Sequence, residues 1–319
     1  MDAEPFATEP SESGLLTLAR SCAPDLAGRG TVEVLSWSRG PGGSLVCAVG
    51  AVVVKVHRLG TQGQLLALRL RLARHPLLAP VLLTPVSPEP WELDGRWVSF
   101  WPRALPVRPE ARTAPWGEAA RLLAALHRIP VSRLSEDLLP VGSLCEGPWP
   151  EAGHLAGLDR ALDALSGAEF DPEVQAVVRA RQGLSPEPSR GRSSPEEVLV
   201  HGDWHFGQLL HTQAGWRLGD VDDLGRGDPW WDLGRVAAFE AIGVLTAGTL
   251  ASFLREYHEA GGPLDWPADP ATATRLDEAA RAHVVRAAAT GLAASRASNG
   301  PLDPVTAELV DACRRMACR

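Results

Sequence analysis

Short apolar runs crowd the first third of the chain: TVEVLSW (31–37), SLVCAVG (44–50), AVVVKVH (51–57) and RWVSFW (96–101). Their β-branched and aromatic content and their length predict strands. Between the first two lies SRGPGG (38–43), a turn-rich stretch that predicts a hairpin. Between the last two, QLLALRLRLARHPLLAPVLL repeats leucine at helical spacing until His75-Pro76 stops it. The order hairpin, strand, helix, strand predicts a small β-rich lobe over 14–101, preceded by a mobile tail over 1–13. After Trp101-Pro102 the period changes. APWGEAARLLAALHRIP (114–130) is an amphipathic helix ended by proline. Helical pieces follow near 155–166 and 171–182, then an exposed loop over 183–197. Alanine-rich helices are predicted over 235–260 and 272–296, with one more closing the chain. Residues 102–319 thus read as a larger, mainly helical lobe.

The composition is that of an ordinary globular protein of 319 residues, 45% hydrophobic and 22% charged. A net charge of −8 argues against broad binding to nucleic acid. No apolar run reaches the roughly 20 residues of a membrane span, and the acidic N-terminus MDAEPFATEPSES lacks the order of a signal peptide. Cys22, Cys47, Cys145, Cys313 and Cys318 are scattered without a C-x-x-C pair, which points to reduced thiols in a cytoplasmic protein.

One charge changes the picture. Lysine and arginine together number 31, yet only one is a lysine: Lys55, inside the strand-like VVVKVHR. A chain that uses arginine everywhere else has kept a compact ammonium at one apolar site.

Chemistry-bearing residues concentrate between 201 and 232: Asp203, Gln208, Asp220, Asp222 and Asp228, with Asp223 and Asp232 beside them. Singly, such aspartates cap helices or bind hard cations. Their order says more. VLVHGD and GWRLGD each read as a strand ending at an aspartate, and as neighbouring strands they would bring Asp203 and Asp220 to one edge. Phosphoryl transfer needs one carboxylate for the attacking hydroxyl's proton and a second for Mg²⁺. It also needs an amide oxygen five residues after the first, and a lysine for the phosphates. Asp203 and Gln208 keep the D-x-x-x-x-N spacing with one added methylene.

HGDWHFGQLL followed by LGDVDDLGRGDPWWDLGR resembles the aminoglycoside phosphotransferase and choline kinase family, whose pattern is H-G-D-x-H-x-x-N, an I-D-[FW] strand end and G-D-P-x-x-D-L-A. The resemblance implies an α+β, bilobal protein-kinase-like fold and a small-molecule kinase. It implies Asp203 as general base, Asp220 with Gln208 as Mg²⁺ ligands and Asp222 as a candidate second metal contact. Asp228 and Asp232 would hold the loop and start the next helix. Lys55 falls where that family places its nucleotide-phosphate lysine. Gly42, Gly43 and Ser44 would cover the phosphates of ATP or GTP, and Phe100, Trp101 and Arg103 would border the base. The partners implied are a nucleoside triphosphate and a hydroxyl-bearing small molecule, taken up by a monomer or homodimer.

Two departures stand out. No acidic residue occurs from 56 to 88, so the helix glutamate that pairs with the kinase lysine is missing, and Gln62 or Gln64 is the expected substitute. Gln208 replaces the expected asparagine. Candidate acceptor-binding acids are Glu136, Asp137, Glu146, Glu151, Asp159, Asp163, Glu240, Glu256 and Glu259, interspersed with arginines. Trp204, Phe206, Trp230 and Trp231 would suit core packing or a flatter acceptor. The expected reaction is phosphorylation of a sugar-containing antibiotic of aminoglycoside or nucleoside type, conferring resistance. The alternatives are a kinase of a primary metabolite such as choline or an amino sugar, a catalytically silent kinase-fold binder, or a metal-dependent phosphoesterase suggested by GDWH and GDVDD.

Overall fold

The computed structural model describes residues 10–37, 43–107, 114–138, 150–184, 198–263 and 270–317. Residues 185–197 of the loop expected over 183–197, Glu146 and the side chains of Glu136 and Asp137 lie outside the described residues, as does Gly42. The chain divides into two compact units, Met1–Pro106 with Leu210–Asp222, and Val107–Leu209 with Asp223–Arg319.

In the first unit, helices α1 (Glu12–Cys22) and α2 (Pro24–Ala27) precede strands β1 (Val32–Trp37), β2 (Leu45–Val49) and β3 (Val52–Val56). Helix α3 (Gly63–Ala73), β4 (Trp91–Leu93), β5 (Arg96–Pro102) and β6 (Leu105–Pro106) follow. The main sheet is antiparallel with strand order β1-β2-β3-β5-β4. Alternation along β3 sends Val52, Val54 and Val56 into a core with Leu15, Ala19, Cys47 and Phe100. Each such buried aliphatic contributes about 1.5–3 kcal/mol. Lys55 therefore points to the opposite face, at the register position between Val46 and Ser99. Part of the expected tail is ordered: Ser11 caps α1 by accepting the Gly14 N–H at 3.2 Å, and Leu15 and Ala19 anchor the helix.

Residues 210–222 join this unit through backbone pairing. Strands β8 (Leu209–Thr212) and β9 (Gly215–Leu218) form a hairpin whose outer edges are held by β6 and by Val81 and Leu83. Leu83 N–H donates to Leu218 O and Leu218 N–H to Val81 O, both at 2.8 Å.

The second unit is mainly helical, with α4 (Trp116–His127), α5 (Val131–Leu138), α6 (His154–Asp163) and α7 (Pro172–Gln182) before β7 (Val198–Val200). After β10 (Gly225–Gly227) come α8 (Pro229–Ala241), α9 (Ala247–Glu259), the long α10 (Pro270–Ser298) and α11 (Pro304–Ala317). The helix expected over 235–260 is thus two helices, separated at Ile242–Thr246, where Gly243 takes a φ of +74°. No helix among the described residues is long and apolar enough to cross a membrane.

The expectation of two neighbouring strands ending at Asp203 and Asp220 is corrected. Strand β7 stops at Val200 and pairs with β10, whereas β9 pairs with β8. The partner of VLV is the Gly225–Gly227 stretch.

Candidate active site

In the first unit, Lys55 is 8% exposed. Its ammonium lies 2.6 Å from Asp220 and 2.9 Å from Asp222. Burial alone would lower the lysine pKa, but these two carboxylates raise it beyond its ordinary value, so the ammonium stays charged. Burial would likewise raise Asp222; Lys55 and His57 instead hold it well below the usual carboxylate range. Asp220 occupies the left-handed region at φ +60°, a conformation aspartate tolerates, and its Oδ1 accepts the Asp222 N–H at 3.2 Å. Gln62 and Gln64 do not serve as the lysine's partner: Asp220 and Asp222 take that place, and the Arg69 guanidinium donates to the Asp222 carbonyl.

His57, directly after β3, is fully buried. Its Nδ1 lies 3.1 Å from the Asp222 carboxylate and its Nε2 2.7 Å from Ser99 Oγ. The indole of Trp101 donates to the same hydroxyl at 2.9 Å. Phe100 is a core residue, and its carbonyl takes the Val86 N–H at 2.8 Å. The Gly43 carbonyl accepts from Arg96 at 2.6 Å, and Ser44 leads into β2.

In the second unit, the turn after β7 carries Asp203, which lies 2.6 Å from Arg235 of α8 and 3.1 Å from Arg286 of α10. Arg286 also reaches Asp223 at 3.7 Å. Gly202 makes the turn possible: at φ +82° a Cβ there would stand 2.4 Å from the Asp223 carbonyl oxygen. Gly153 leaves room for the Asp223 carboxylate, since a Cβ would fall 2.1 Å from its Oδ1. Gln208 ends a one-turn 3₁₀ helix (Phe206–Gln208); its Oε1 is buried and has no hydrogen-bond donor among the described residues.

Asp232 is fully buried and holds the turn from beneath. It accepts the His201 N–H at 2.7 Å, the Gly202 N–H at 3.0 Å and a bond from His127 at 3.0 Å. Burial would raise its pKa, but His127 and His201 bring it below the ordinary value. His127 in turn bonds the Tyr257 hydroxyl at 2.7 Å. Asp228 caps α8 by accepting the Trp230 N–H at 3.0 Å and pairs with Arg275. Trp204, Phe206, Trp230 and Trp231 are core residues, each at most 5% exposed, so they offer no acceptor platform. Among the expected acidic residues, Glu151 pairs with Arg226 and Glu256 with Arg121.

Sequence reasoning missed His57, Arg235 and Arg286. His57 sits in the same stretch as Lys55, and Arg235 follows the D-L-G run directly; Arg286 has no local motif.

The chain carries a lysine-aspartate cluster in the sheet unit and a carboxylate turn in the helical unit. The model of the phosphotransferase enzyme family matches residues 45–272, and the chain belongs to that family: it is a small-molecule phosphotransferase. Among curated proteins none matches it. Similar solved structures include a choline/ethanolamine kinase family protein from Mesorhizobium loti, at 20% identity over 96% of this chain and 100% of that one, TM-score 0.55. The GDP complex of aminoglycoside 2'-phosphotransferase-IIIa aligns at 16% identity over 97% and 99%, TM-score 0.54. A thermostable aminoglycoside phosphotransferase APH(4)-Ia with AMP-PNP and hygromycin B aligns at 13% identity over 96% and 98%, TM-score 0.55. At these identities the likeness establishes the protein-kinase-like α+β fold.

Proposed function

We propose that the chain moves the γ-phosphoryl group of ATP or GTP to a hydroxyl of a sugar-containing small molecule, an antibiotic in the first instance, with the sheet unit holding the nucleotide. The observation that carries this reading is the single lysine of the chain, buried yet charged, facing the two aspartates of GDVD. Lys55 would turn from these carboxylates to the nucleotide phosphates, with the backbone at 43–44 covering them. Asp203 would accept the acceptor's proton while the oxygen–phosphorus bond forms and the bond to the departing nucleoside diphosphate breaks.

The residues fit a hard divalent cation. Mg²⁺ needs only one or two protein carboxylates, with phosphates and water completing its shell. Asp220 and Asp222 of the sheet unit would supply the carboxylates; Gln208, of the helical unit, is the further proposed ligand, its amide oxygen buried and without a donor among the described residues. Mg²⁺ held there neutralises charge on the phosphates.

The surroundings of Asp203 bear on the acceptor. Arg160, Arg235 and Arg286 balance Asp203, Asp223 and Asp232, so among the described residues the turn has no acidic excess. This favours a neutral or weakly charged sugar, such as a nucleoside-type compound, over a polycationic aminoglycoside. Likeness to a choline/ethanolamine kinase family protein keeps a primary-metabolite kinase as the second reading.

The test is a nucleotide-consumption screen with ATP and GTP in parallel across aminoglycosides, nucleoside and peptide antibiotics, amino sugars and choline. Turnover of choline or a metabolite alone would remove the resistance reading. For any acceptor found, Asp203→Asn is expected to abolish transfer and leave nucleotide binding nearly intact. Loss of nucleotide binding with activity would show that Asp203 is not the base.

A further inference from the structure

The missing helix glutamate leaves a physical gap that the sheet unit fills differently. A lysine that must point at phosphates needs a fixed carboxylate partner, and α3 offers none, because residues 56–88 contain no acid. Lys55 is held instead by Asp220 and Asp222. Those are the groups that the proposed reaction also asks to face the metal, so they cannot depend on Lys55 alone for their position.

Asp222 has a second anchor. The indole of Trp101 can only donate, so it donates to Ser99 Oγ at 2.9 Å. The serine hydroxyl then has its hydrogen free for His57 Nε2, at 2.7 Å. With Nε2 accepting, Nδ1 carries the hydrogen and donates to Asp222 at 3.1 Å. The direction is fixed at the other end, because the Asp222 carboxylate can only accept and Nδ1 must therefore be the donor. Ser99 and His57 are 1% and 0% exposed, so water does not compete for either bond. The base of the ring is fixed as well: His57 N–H donates to Trp97 O at 2.8 Å, and Arg96 donates to the His57 carbonyl.

We propose that His57 is a positioning residue that replaces the missing helix glutamate: through Nδ1 it holds the Asp222 carboxylate in place when Lys55 leaves it for nucleotide phosphates. The inference rests on the proposed function, and its two halves separate experimentally. Residues that orient a metal-facing ligand typically cost about 10- to 100-fold in metal affinity when lost.

The experiment uses the full chain, Mg²⁺, and AMP-PNP or GMP-PNP. Binding is measured by calorimetry and the Mg²⁺ half-saturation at fixed nucleotide, with a melting curve for each variant. His57→Asn places an amide donor near Nδ1, His57→Gln places one near Nε2, and His57→Phe removes both. The Asp222 contact being the one that matters, His57→Gln and His57→Phe should raise the Mg²⁺ half-saturation about tenfold or more, whereas His57→Asn stays within about threefold of wild type. A merely structural role would lower the melting temperature of the variants without separating Asn from Gln in Mg²⁺ dependence. His57→Gln matching His57→Asn, or all variants binding like wild type, overturns the role of His57. If the wild type bound neither analogue, the proposed function itself would fall, and the result would be distinct from these. Should His57→Phe fail to fold, the Asn and Gln pair still decides.

Discussion

Asp232 offers the most direct test of how the helical unit holds Asp203. Asp232→Asn keeps the shape and removes one acceptor. The two oxygens serve three donors: Oδ2 takes His201 N–H at 2.7 Å and His127 at 3.0 Å, and Oδ1 takes Gly202 N–H at 3.0 Å. The cheaper amide orientation keeps oxygen at the Oδ2 position and turns NH₂ toward Gly202. One buried N–H then faces another donor, at about 1–3 kcal/mol, and two charge-assisted bonds become neutral ones, at about 1 kcal/mol each. The expected destabilisation is about 3–5 kcal/mol.

The assay is urea unfolding followed by tryptophan fluorescence. Trp204 donates to the Asp232 carbonyl at 2.5 Å and Trp231 to the Gly202 carbonyl at 2.7 Å, so both indoles report on this segment. Because Asp203 follows Gly202 directly, a shift of about 1 Å should also cost on the order of 100-fold in turnover. A loss under about 1 kcal/mol would refute the reasoning, since three short buried bonds cannot be exchanged that cheaply. Wild-type stability with activity abolished would place Asp232 in the chemistry instead.

Three further outcomes follow from the same geometry. Lys55→Arg should fold but lower turnover at least about tenfold, or 1.4 kcal/mol of barrier, because a planar fork replaces a point charge; steady-state kinetics with varied nucleotide checks it, and wild-type kinetics would make the lysine incidental. Gln208→Asn should remain active with an altered Mg²⁺ requirement; metal titrations in which neither Asn nor Ala changes that requirement would remove Gln208 from the site. His154, buried against Trp231, is depressed to about 4 chiefly by burial, so the unfolded state gains protons first as pH falls below about 6.5. Stability should therefore drop by about 2 kcal/mol between pH 7 and 5 on this account, read as a falling urea midpoint that flattens in His154→Phe; equal pH dependence in that variant would sink the assignment.

What the sequence made legible was local. The alternation in VVVKVHR placed Lys55 on a strand facing away from the valine core, and His75-Pro76 marked the end of α3 within a turn. What it hid was pairing at a distance. Strand β7 looked like a companion of β9 because both end near an aspartate, but three valine and leucine residues can pair with any complementary edge. The β10 glycines alone allow the close approach to Pro150–Ala152 that seats them beside β7. Arg286 was invisible for a similar reason. A single arginine in an alanine-rich helix has no signature, and only the packing of α10 on α8 brings it to Asp203. Of helix α1 only Glu12 and Ser13 fall within the expected mobile tail, and the Ser11 cap holds them in the helix.

The use of arginine elsewhere explains why one lysine was retained. Arg96 forks onto the His57 and Gly43 carbonyls, Arg69 onto the Asp222 carbonyl, and Arg235 and Arg286 onto Asp203. In each case a rigid planar donor set holds its partner in place. Lys55 has a different task. In the proposed cycle it must leave two carboxylates for phosphate oxygens and return, and an ammonium with three rotatable donors on a flexible stem can exchange partners without matching a fork. The exchange also has an electrostatic logic. With Lys55 between them, Asp220 and Asp222 carry two negative charges against one positive. When the ammonium turns away, the deficit grows to two, the charge of a single Mg²⁺ ion. Arrival of the metal–nucleotide complex and departure of the lysine therefore compensate one another, and each should be weak without the other. Nucleotide binding in the absence of Mg²⁺ should accordingly be at least about tenfold weaker in the wild type than with it, and Asp220→Asn should remove most of that difference. Equal affinity with and without Mg²⁺ in the wild type would show that the carboxylates belong to Lys55 alone.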